Sequence, residues 1–418
     1  MKPTDIRDPE YFHKVVDCQY ACPAHTPVPE YIRLIAQERY DDAYMVNWES
    51  NVFPGILGRT CDRPCEPACR RGRVEEEPVA ICRLKRVAAD NKDSIIDRLP
   101  KIPKRKNGKK IALIGGGPAS LTVARDLAPL GYQLDLYDDQ PAGGGFMRSQ
   151  IPSFRLPPTV LDEEVDYILD MGITTHFETY VDSLKGVLDK GYDAVFVGTG
   201  APRGSDLELP GRAECEKHIH VGIEWLGSVA FEHIHKIGKR VLVLGGGNTA
   251  MDCCRTARRL GGEDVKVVVR SEFAKMKASP WEIEDAQAED IPIINNHVPK
   301  AFVHEGGKLL GMTFDQVEVV YDDAGKRSLV PTGDEVFFEA DEVLIAIGQD
   351  NAFPWIERNL GIEFGKWDMP QVDERSLQSH NPKVFFGGDA AFGPENIITA
   401  VAHGHQAAVS IDLFLSGK

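Results

Sequence analysis

The feature that most constrains this chain is a repeat within itself. Displaced by 130 residues, KKIALIGGGPASLTVARDLAPLG falls on KRVLVLGGGNTAMDCCRTARRLG, so that Gly115, Gly116 and Gly117 overlie Gly245, Gly246 and Gly247, Arg125 overlies Arg255, and Gly131 overlies Gly261. Each copy runs from a short apolar segment through three glycines into a helical pattern, which is the order strand, phosphate turn, helix. Two copies of one such unit imply two dinucleotide sites on parallel sheets flanked by helices. From Lys109 onward apolar runs alternate with helical patterns in the same sense. DEVLIAIGQ (341–349) and KVFFGGDA (383–390) read as further strands, the second of them ahead of a helix-like stretch from Ile397 to Leu415.

Glycine at the turn lets the backbone approach a pyrophosphate, whose charge then sits on the amides and the positive end of a helix. In the first copy Gly115 and Gly117 fill this role, and Ser120 stands where the pattern asks for a third small residue. The next strand, LDLYDD, ends at Asp138, 21 residues beyond Gly117, where a carboxylate accepts a hydrogen bond from an adenosine ribose. In the second copy Gly245, Gly247 and Ala250 repeat the turn, but VKVVVR ends at Arg270 with no acid. A cation there suits a 2'-phosphate, so NADP is favoured over NAD, with Lys275 and Lys277 adding charge nearby. A charged strand end facing solvent is the plainer alternative, and it leaves NAD open. Two dinucleotides in one chain point to a hydride relay from nicotinamide to flavin, which can pass single electrons onward.

Six of the nine cysteines, Cys18, Cys22, Cys61, Cys65, Cys69 and Cys82, lie in the first 82 residues. Prolines at 23, 27, 29, 54, 64, 67 and 78 break this head into short helical stretches such as Glu30 to Tyr44, which make little core by themselves. A metal centre would staple them. Reduced thiolates are expected rather than disulfides, because the start MKPTDIRDPE shows no export signal and the remainder reads as a nucleotide enzyme. LPKIPKRKNGKK (99–110) reads as a linker. A net charge of -16 disfavours nucleic acid and anionic membrane surfaces, no run approaches the length of a membrane span, and a cytoplasmic location is expected.

Several segments together carry a resemblance: CPAHTPVPEYI (22–32), NVFPGILGRTCDRPCEPACRRG (51–72), PVAICRLKRVAAD (78–90), GGGFMRSQIPSFRLP (143–157), YDAVFVGTGA (192–201), MKASPWEIEDA (276–286), LIAIGQ (344–349) and GGDAAFGPENIITAVAHGHQAA (387–408), with the two glycine turns. Over essentially its whole length the chain resembles the small (beta) subunit of glutamate synthase and the N-terminal half of dihydropyrimidine dehydrogenase. The resemblance implies an α/β fold of two Rossmann-like domains, an FAD domain interrupted by an NAD(P) domain, preceded by a small α-helical iron-sulfur domain. The expected bounds are 1–104 for the head, 105–235 and 336–418 for the FAD domain, and 236–335 for the NAD(P) domain. By position it implies FAD contacts at Gly115, Gly117 and Asp138, a loop beside the flavin at Arg148 and Ile151, a ribityl contact at Gly388 and Asp389, and a helix start facing the ring at Ile398 and Thr399. Gly245, Gly247, Asn248, Thr249 and Arg270 match the NADP site, where the family's second basic residue is Ser271 here, and Thr199 and Gly348 join the cofactor-binding positions.

The family's head carries two [4Fe-4S] clusters, yet residues 1–17 contain no cysteine, so only Cys18 and Cys69 remain of the distal set. The other cluster resembles one held by Cys22, Cys61 and Cys65 with a non-cysteine ligand near Lys85 or Arg86, and a cation cannot ligate iron. Cys82 lies four residues before Arg86, one helical turn away, and can substitute. The expectation is therefore one [4Fe-4S] cluster on Cys22, Cys61, Cys65 and Cys82, with Cys18 and Cys69 spare or part of a second cluster completed by other ligands; tetrahedral zinc is the alternative. Cys253 and Cys254 are read as buried thiols, since adjacent helical cysteines point apart. His403 and His405 are read as structural or solvent-facing, and the acidic run Glu282, Glu284, Asp285, Glu289, Asp290 as a solvated helix face able to steer a basic partner. The functional expectation is an NAD(P)H-dependent FAD and iron-sulfur oxidoreductase subunit that exchanges electrons with a partner subunit or ferredoxin in a hetero-oligomeric complex, with no catalytic side chain singled out. Two rivals are a disulfide or quinone reductase with a structural metal, and a non-catalytic electron-entry or docking subunit.

Overall fold

The computed structural model describes residues 16–321 and 327–417. The first ten residues, on which the export expectation rests, lie outside the described residues.

The chain forms two compact units. One contains the residues up to Met147 together with Ser153–Ala201 and everything from Asn351 on; the other contains Arg148–Pro152 and Pro202–Asp350. Each is organised by one copy of the repeat. In the first unit the all-parallel sheet runs Val384–Phe386, Ala194–Val197, Lys110–Ile114, Gln133–Tyr137, Thr174–His176. In the second it runs Ile219–Val221, Glu342–Ile345, Arg240–Leu244, Asp264–Val269, Ile293–Asn295. The central strands KIALI and RVLVL are buried along their last four residues, as parallel strands covered on both faces must be. In both sheets the chain steps outward from the central strand on one side and then returns to its other side. The order reverses there, and a crevice opens at the carboxyl ends of the strands.

The units differ in what joins the third strand to the fourth. The first uses the short helix Leu184–Asp189, capped by Ser183. The second inserts an antiparallel sheet, His297–Glu305, Lys308–Tyr321 and Arg327–Glu339, whose Phe302, Met312 and Phe314 pack in one cluster with Leu242 and Val343.

The unit boundaries fall at 201/202 and 350/351, whereas the sequence expectation placed domain limits at 235/236 and 335/336. Strand pairing accounts for the difference. Glu342–Ile345 lies between Ile219–Val221 and Arg240–Leu244, so segments expected on the FAD side of both limits complete the second sheet. Arg148–Pro152 also belongs to the second unit, where Gln349 donates to Gln150 at 3.1 Å.

The head is helical: Asp17–Ala21, Val28–Ala36, Tyr40–Asn51, Pro54–Thr60 and Ile81–Asn91. The single stretch expected from Glu30 to Tyr44 is two helices, because Glu38 adopts φ +57 and breaks the ladder. Trp48, Tyr31, Tyr44, Phe53, Ile56, Leu57 and Ile81 are fully buried, more core than its prolines led one to expect. Part of that burial comes from the α/β part of the same unit. Glu164, on the helix Pro158–Leu169, accepts from the Gly55 amide at 2.6 Å, the Ile56 amide at 2.9 Å and the Tyr44 hydroxyl at 2.8 Å. His405 sits between the Asp126 carboxylate and the Ser50 carbonyl, which makes it structural, as expected. Among the described residues no helix is long and apolar enough to cross a membrane.

Candidate functional site

At the first turn Gly115 has φ +92, and a Cβ there would stand 2.6 Å from the Gly198 carbonyl oxygen, just beyond the fourth strand. Only glycine satisfies both demands. Gly117 forms the N-cap of the helix Pro118–Leu127 and provides no side chain to it, so the first helical amides are left open. Asp138 follows the second strand, and its carboxylate accepts from the Gly116 and Gln140 amides. Burial outweighs those bonds and raises its pKa to about 6. Beside the turn two buried hydroxyls, Ser120 Oγ and Thr199 Oγ1, have no hydrogen-bond partner among the described residues. Ser120 packs on Gly198, so the third position is small because the strand end lies against it. Open helix amides and orphaned hydroxyls around one glycine turn are what a bound polar group would satisfy.

Gly388, at φ +61, is wedged between the start of that helix and the start of Ile397–Ser416: its Cβ would lie 3.2 Å from Ala119 and 3.4 Å from Ala400. This brings Asp389 to the same crevice, with its pKa raised by burial to about 6 and one oxygen accepting from the Glu395 amide. Ile398 is buried. Asn396 caps its helix by accepting from the Thr399 amide at 3.0 Å and the Thr399 hydroxyl at 2.9 Å, so one of the two amides the sequence assigned to the flavin ring is already engaged.

The second turn repeats the first. The Gly245 amide donates to the Val268 carbonyl as the Gly115 amide donates to Tyr137, and Gly247 caps the helix Asn248–Arg259 with nothing within 4 Å of an added Cβ. Asn248 is a clamp, a role sequence reasoning missed. Its Oδ1 accepts from the Ser279 amide at 2.8 Å, while Lys277 and Ala278 both donate to the Gly246 carbonyl at 2.9 Å. The loop after the second strand is thereby folded back onto the turn, and it carries Arg270, Lys275 and Lys277. All three are exposed, and among the described residues none has an ion-pair partner. Thr249 lies half-buried in the first helical turn, and Gly348, at φ +144, accepts from the Ser205 amide where Gln349–Asp350 meets Arg203–Gly204. Arg148 and Ile151 are half-buried in the short segment that joins the second unit.

Two expectations about this helix meet different outcomes. Cys253 and Cys254 are fully buried free thiols raised by burial, as expected. The acidic run divides: Glu284, Asp285 and Asp290 are exposed as expected, whereas Glu282, 4% exposed, pairs with Arg255 at 3.1 Å and Glu289 pairs with Arg255 and Arg259. Arg255 and Arg259 offset part of the run's charge, and the exposed acids keep the remainder.

In the head Cys22, Cys61, Cys65 and Cys82 are free and 6%, 7%, 5% and 1% exposed. They arrive from four places: the end of Asp17–Ala21, the end of Pro54–Thr60, the turn after it, and the start of Ile81–Asn91. Cys82 lies within hydrogen-bonding reach of both Cys61 and Cys65; the Cys61 bond lowers its pKa, but the Cys65 bond and burial raise it further, to about 12. The Arg63 amide points at Cys61 Sγ, and the Tyr31 hydroxyl, itself buried, donates to the Ile81 carbonyl. Close to them is Lys85, 3% exposed. Burial drives an ammonium towards neutrality, but the charges of Cys82, Cys61, Cys22 and Cys65 around it prevail and hold its pKa above the ordinary lysine value. Cys18 and Cys69 stand near each other, half-buried. Among the described residues no three His, Cys, Asp or Glu side chains are spaced to hold a single metal ion. Four buried thiols beside one cation suit in chemistry a wider, anionic, thiolate-bound group.

Two glycine-turn units with open helix starts and a thiol-lined head define a flavoprotein reductase of the pyridine-nucleotide type. The family model for pyridine nucleotide-disulphide oxidoreductases matches residues 109–404, and that for dihydropyrimidine dehydrogenase domain II, 4Fe-4S cluster, matches residues 13–95. The chain belongs to the pyridine nucleotide-disulphide oxidoreductases, with a 4Fe-4S domain ahead of the reductase fold, and its cofactors are FAD, NADP or NAD, and an iron-sulfur cluster. It is 36% identical over 424 residues to the beta subunit of the NADP(+)-dependent formate dehydrogenase of Moorella thermoacetica, covering 95% of this chain and 60% of that one. It is 30% identical to the small chain of glutamate synthase [NADPH] of Azospirillum brasilense, covering 96% and 86%. The chain thus spans about three fifths of the length of the first relative, and both relatives are named as parts of larger enzymes. FprA of Mycobacterium tuberculosis in complex with NADPH shares the fold, with a TM-score of 0.60 at 17% identity over 74% of this chain and 85% of that one.

Proposed function

We propose that this chain is the nicotinamide-facing subunit of a larger oxidoreductase, exchanging electrons between NADP(H) and a partner subunit or ferredoxin by way of FAD and one [4Fe-4S] cluster. FAD, when bound, supplies the conversion between two-electron hydride chemistry and one-electron transfer. The residues supply position. Gly115, Gly117 and the start of Pro118–Leu127 receive the FAD pyrophosphate, Asp138 accepts from the adenosine ribose, and Asp389, with Gly388, accepts from the ribityl chain. Gly245, Gly247 and the start of Asn248–Arg259 receive the second pyrophosphate. Cys22, Cys61, Cys65 and Cys82 hold the cluster. Hydride transfer needs orientation rather than a side-chain acid or base, so no residue is assigned a proton.

The observation that carries the preference for NADP is the set of unpaired cations Arg270, Lys275 and Lys277, clamped over the second turn of a chain whose net charge is -16. A charge-assisted phosphate contact is worth about 1.5–3 kcal/mol. Arg270→Ala is expected to raise the KM for NADPH by roughly 10- to 100-fold in dye reduction by the anaerobically purified chain, with little change for NADH. Equal effects on both nucleotides would remove the 2'-phosphate assignment. A purified chain without flavin, iron and sulfide would remove the function.

A further inference from the structure

Lys85 occupies an unusual place for a lysine. On the helix Ile81–Asn91 the buried face is Ile81, Cys82, Lys85 and Ala88, so an ammonium sits on the stripe that packs inward, one turn from a thiol. It is 3% exposed, and among the described residues it has neither a hydrogen-bond nor an ion-pair partner. Among the described residues the acids buried to that degree are matched: Glu164 by two amides and a hydroxyl, Glu282 by Arg255. An isolated buried ammonium is among the costliest groups a fold can hold unless something anionic accompanies it. The groups around it are the four thiols Cys22, Cys61, Cys65 and Cys82.

We propose that Lys85 is the built-in countercharge of the cluster held by those thiols, a positioning residue that sets the cluster's reduction potential. The inference rests on the reading that the cradle carries a [4Fe-4S] cluster. Four thiolates leave such a centre negative when oxidised, and accepting one electron makes it more negative by one charge. A fixed cation at its edge stabilises the reduced form more than the oxidised form and so raises the potential, the effect of net charge and sulfur hydrogen bonding on such centres. Arg63, whose amide faces Cys61 Sγ, adds a backbone dipole of the same sense; the Glu66 carboxylate, which accepts from the Cys82 amide at 3.0 Å, is 13% exposed and lies 3.9 Å from the Arg63 guanidinium, whereas Lys85 is buried and carries its charge with no such counter-ion among the described residues.

The test uses the full chain purified anaerobically as wild type, Lys85→Met and Lys85→Arg, with iron and acid-labile sulfide measured first and the cluster midpoint then read by EPR-monitored potentiometry. Lys85→Met is expected to keep its iron and to shift the midpoint negative, with Lys85→Arg closer to wild type. Full iron with an unchanged midpoint in Lys85→Met overturns the proposal while leaving the cluster reading intact. If Lys85→Met loads no iron, Lys85→Arg decides: iron restored by the retained charge supports the role, and iron lost from both overturns it in favour of shape. A wild-type chain lacking iron and sulfide overturns the cluster reading itself, before any variant is compared.

Discussion

Glu164 offers the sharpest test of how the flavoprotein half holds the iron-sulfur head, because it places one carboxylate at the start of the helix that ends at Cys61. The side chain is 1% exposed and accepts from two amides and the Tyr44 hydroxyl, yet burial outweighs these bonds and raises its pKa from 4.5 to about 7. A carboxyl whose folded pKa exceeds its unfolded value binds more protons in the folded state. Its contribution to stability is therefore whole below about pH 4.5 and is lost as pH rises through 7. From 4.5 to about 7, at about 1.4 kcal/mol per unit, the loss is about 3 kcal/mol, most of it between pH 5 and 8. In Glu164→Gln the amide oxygen can keep Gly55 and Tyr44, but the NH2 group meets the Ile56 amide donor to donor, which costs about 1–3 kcal/mol. The variant does not ionise. It should accordingly be less stable than wild type at pH 5, and the gap should close as pH rises towards 8. Denaturant unfolding of both proteins across that range, followed on the same transition, measures the gap directly. A gap that stays constant from pH 5 to 8 would refute the argument that Glu164 is held against its own ionisation.

Three further outcomes follow from the geometry. Gly115→Ala, which puts a Cβ 2.6 Å from the Gly198 carbonyl at φ +92, is expected to yield protein depleted in flavin, seen as the flavin-to-protein absorbance ratio of the purified chain. Arg255→Ala leaves Glu282 buried without its cation and should cost about 3–5 kcal/mol in unfolding free energy, whereas Glu284→Ala, on the same helix, should be near neutral. Cys82→Ser is expected to lose iron while Cys69→Ser retains it; equal loss in both would show that the two groups of cysteines serve one centre.

The sequence carries the skeleton of this molecule because the chemistry there is local. Three glycines, an apolar run before them and a helix after them specify a strand, a turn and an open helix start without reference to anything distant, and both copies fold as expected at Lys110–Ile114 and Arg240–Leu244. The second sheet's membership was not legible in that way. DEVLIAIGQ is a strand on its pattern, but whether it pairs beside KIALI or beside RVLVL depends on crossovers of a hundred residues that leave no local mark; the strand register places it against Arg240–Leu244. Part of the acidic run was hidden for the same reason. Glu282 and Glu289 look solvated until Arg255 and Arg259, about 30 residues earlier in the chain, are seen to reach them.

Lys85 marks the opposite case, a signal that was present and underused. The spacing Ile81, Cys82, Lys85, Ala88 is one helical stripe, and a lysine on an apolar stripe between cysteines can either extend to solvent or stay buried with an anion. Considered only as a ligand, it fails, since an ammonium has no lone pair to give iron. Considered as a charge, it complements the thiol at Cys82: on the proposed reading that cysteine is the fourth sulfur donor, and the lysine one turn on is the positive charge that four thiolates in a buried site require. The same logic of charge placed where an anion must go recurs at Arg270, Lys275 and Lys277 over the second glycine turn. On the proposed readings the two places share one logic: a cation held by the fold without a carboxylate partner answers a negative charge that the bound group brings.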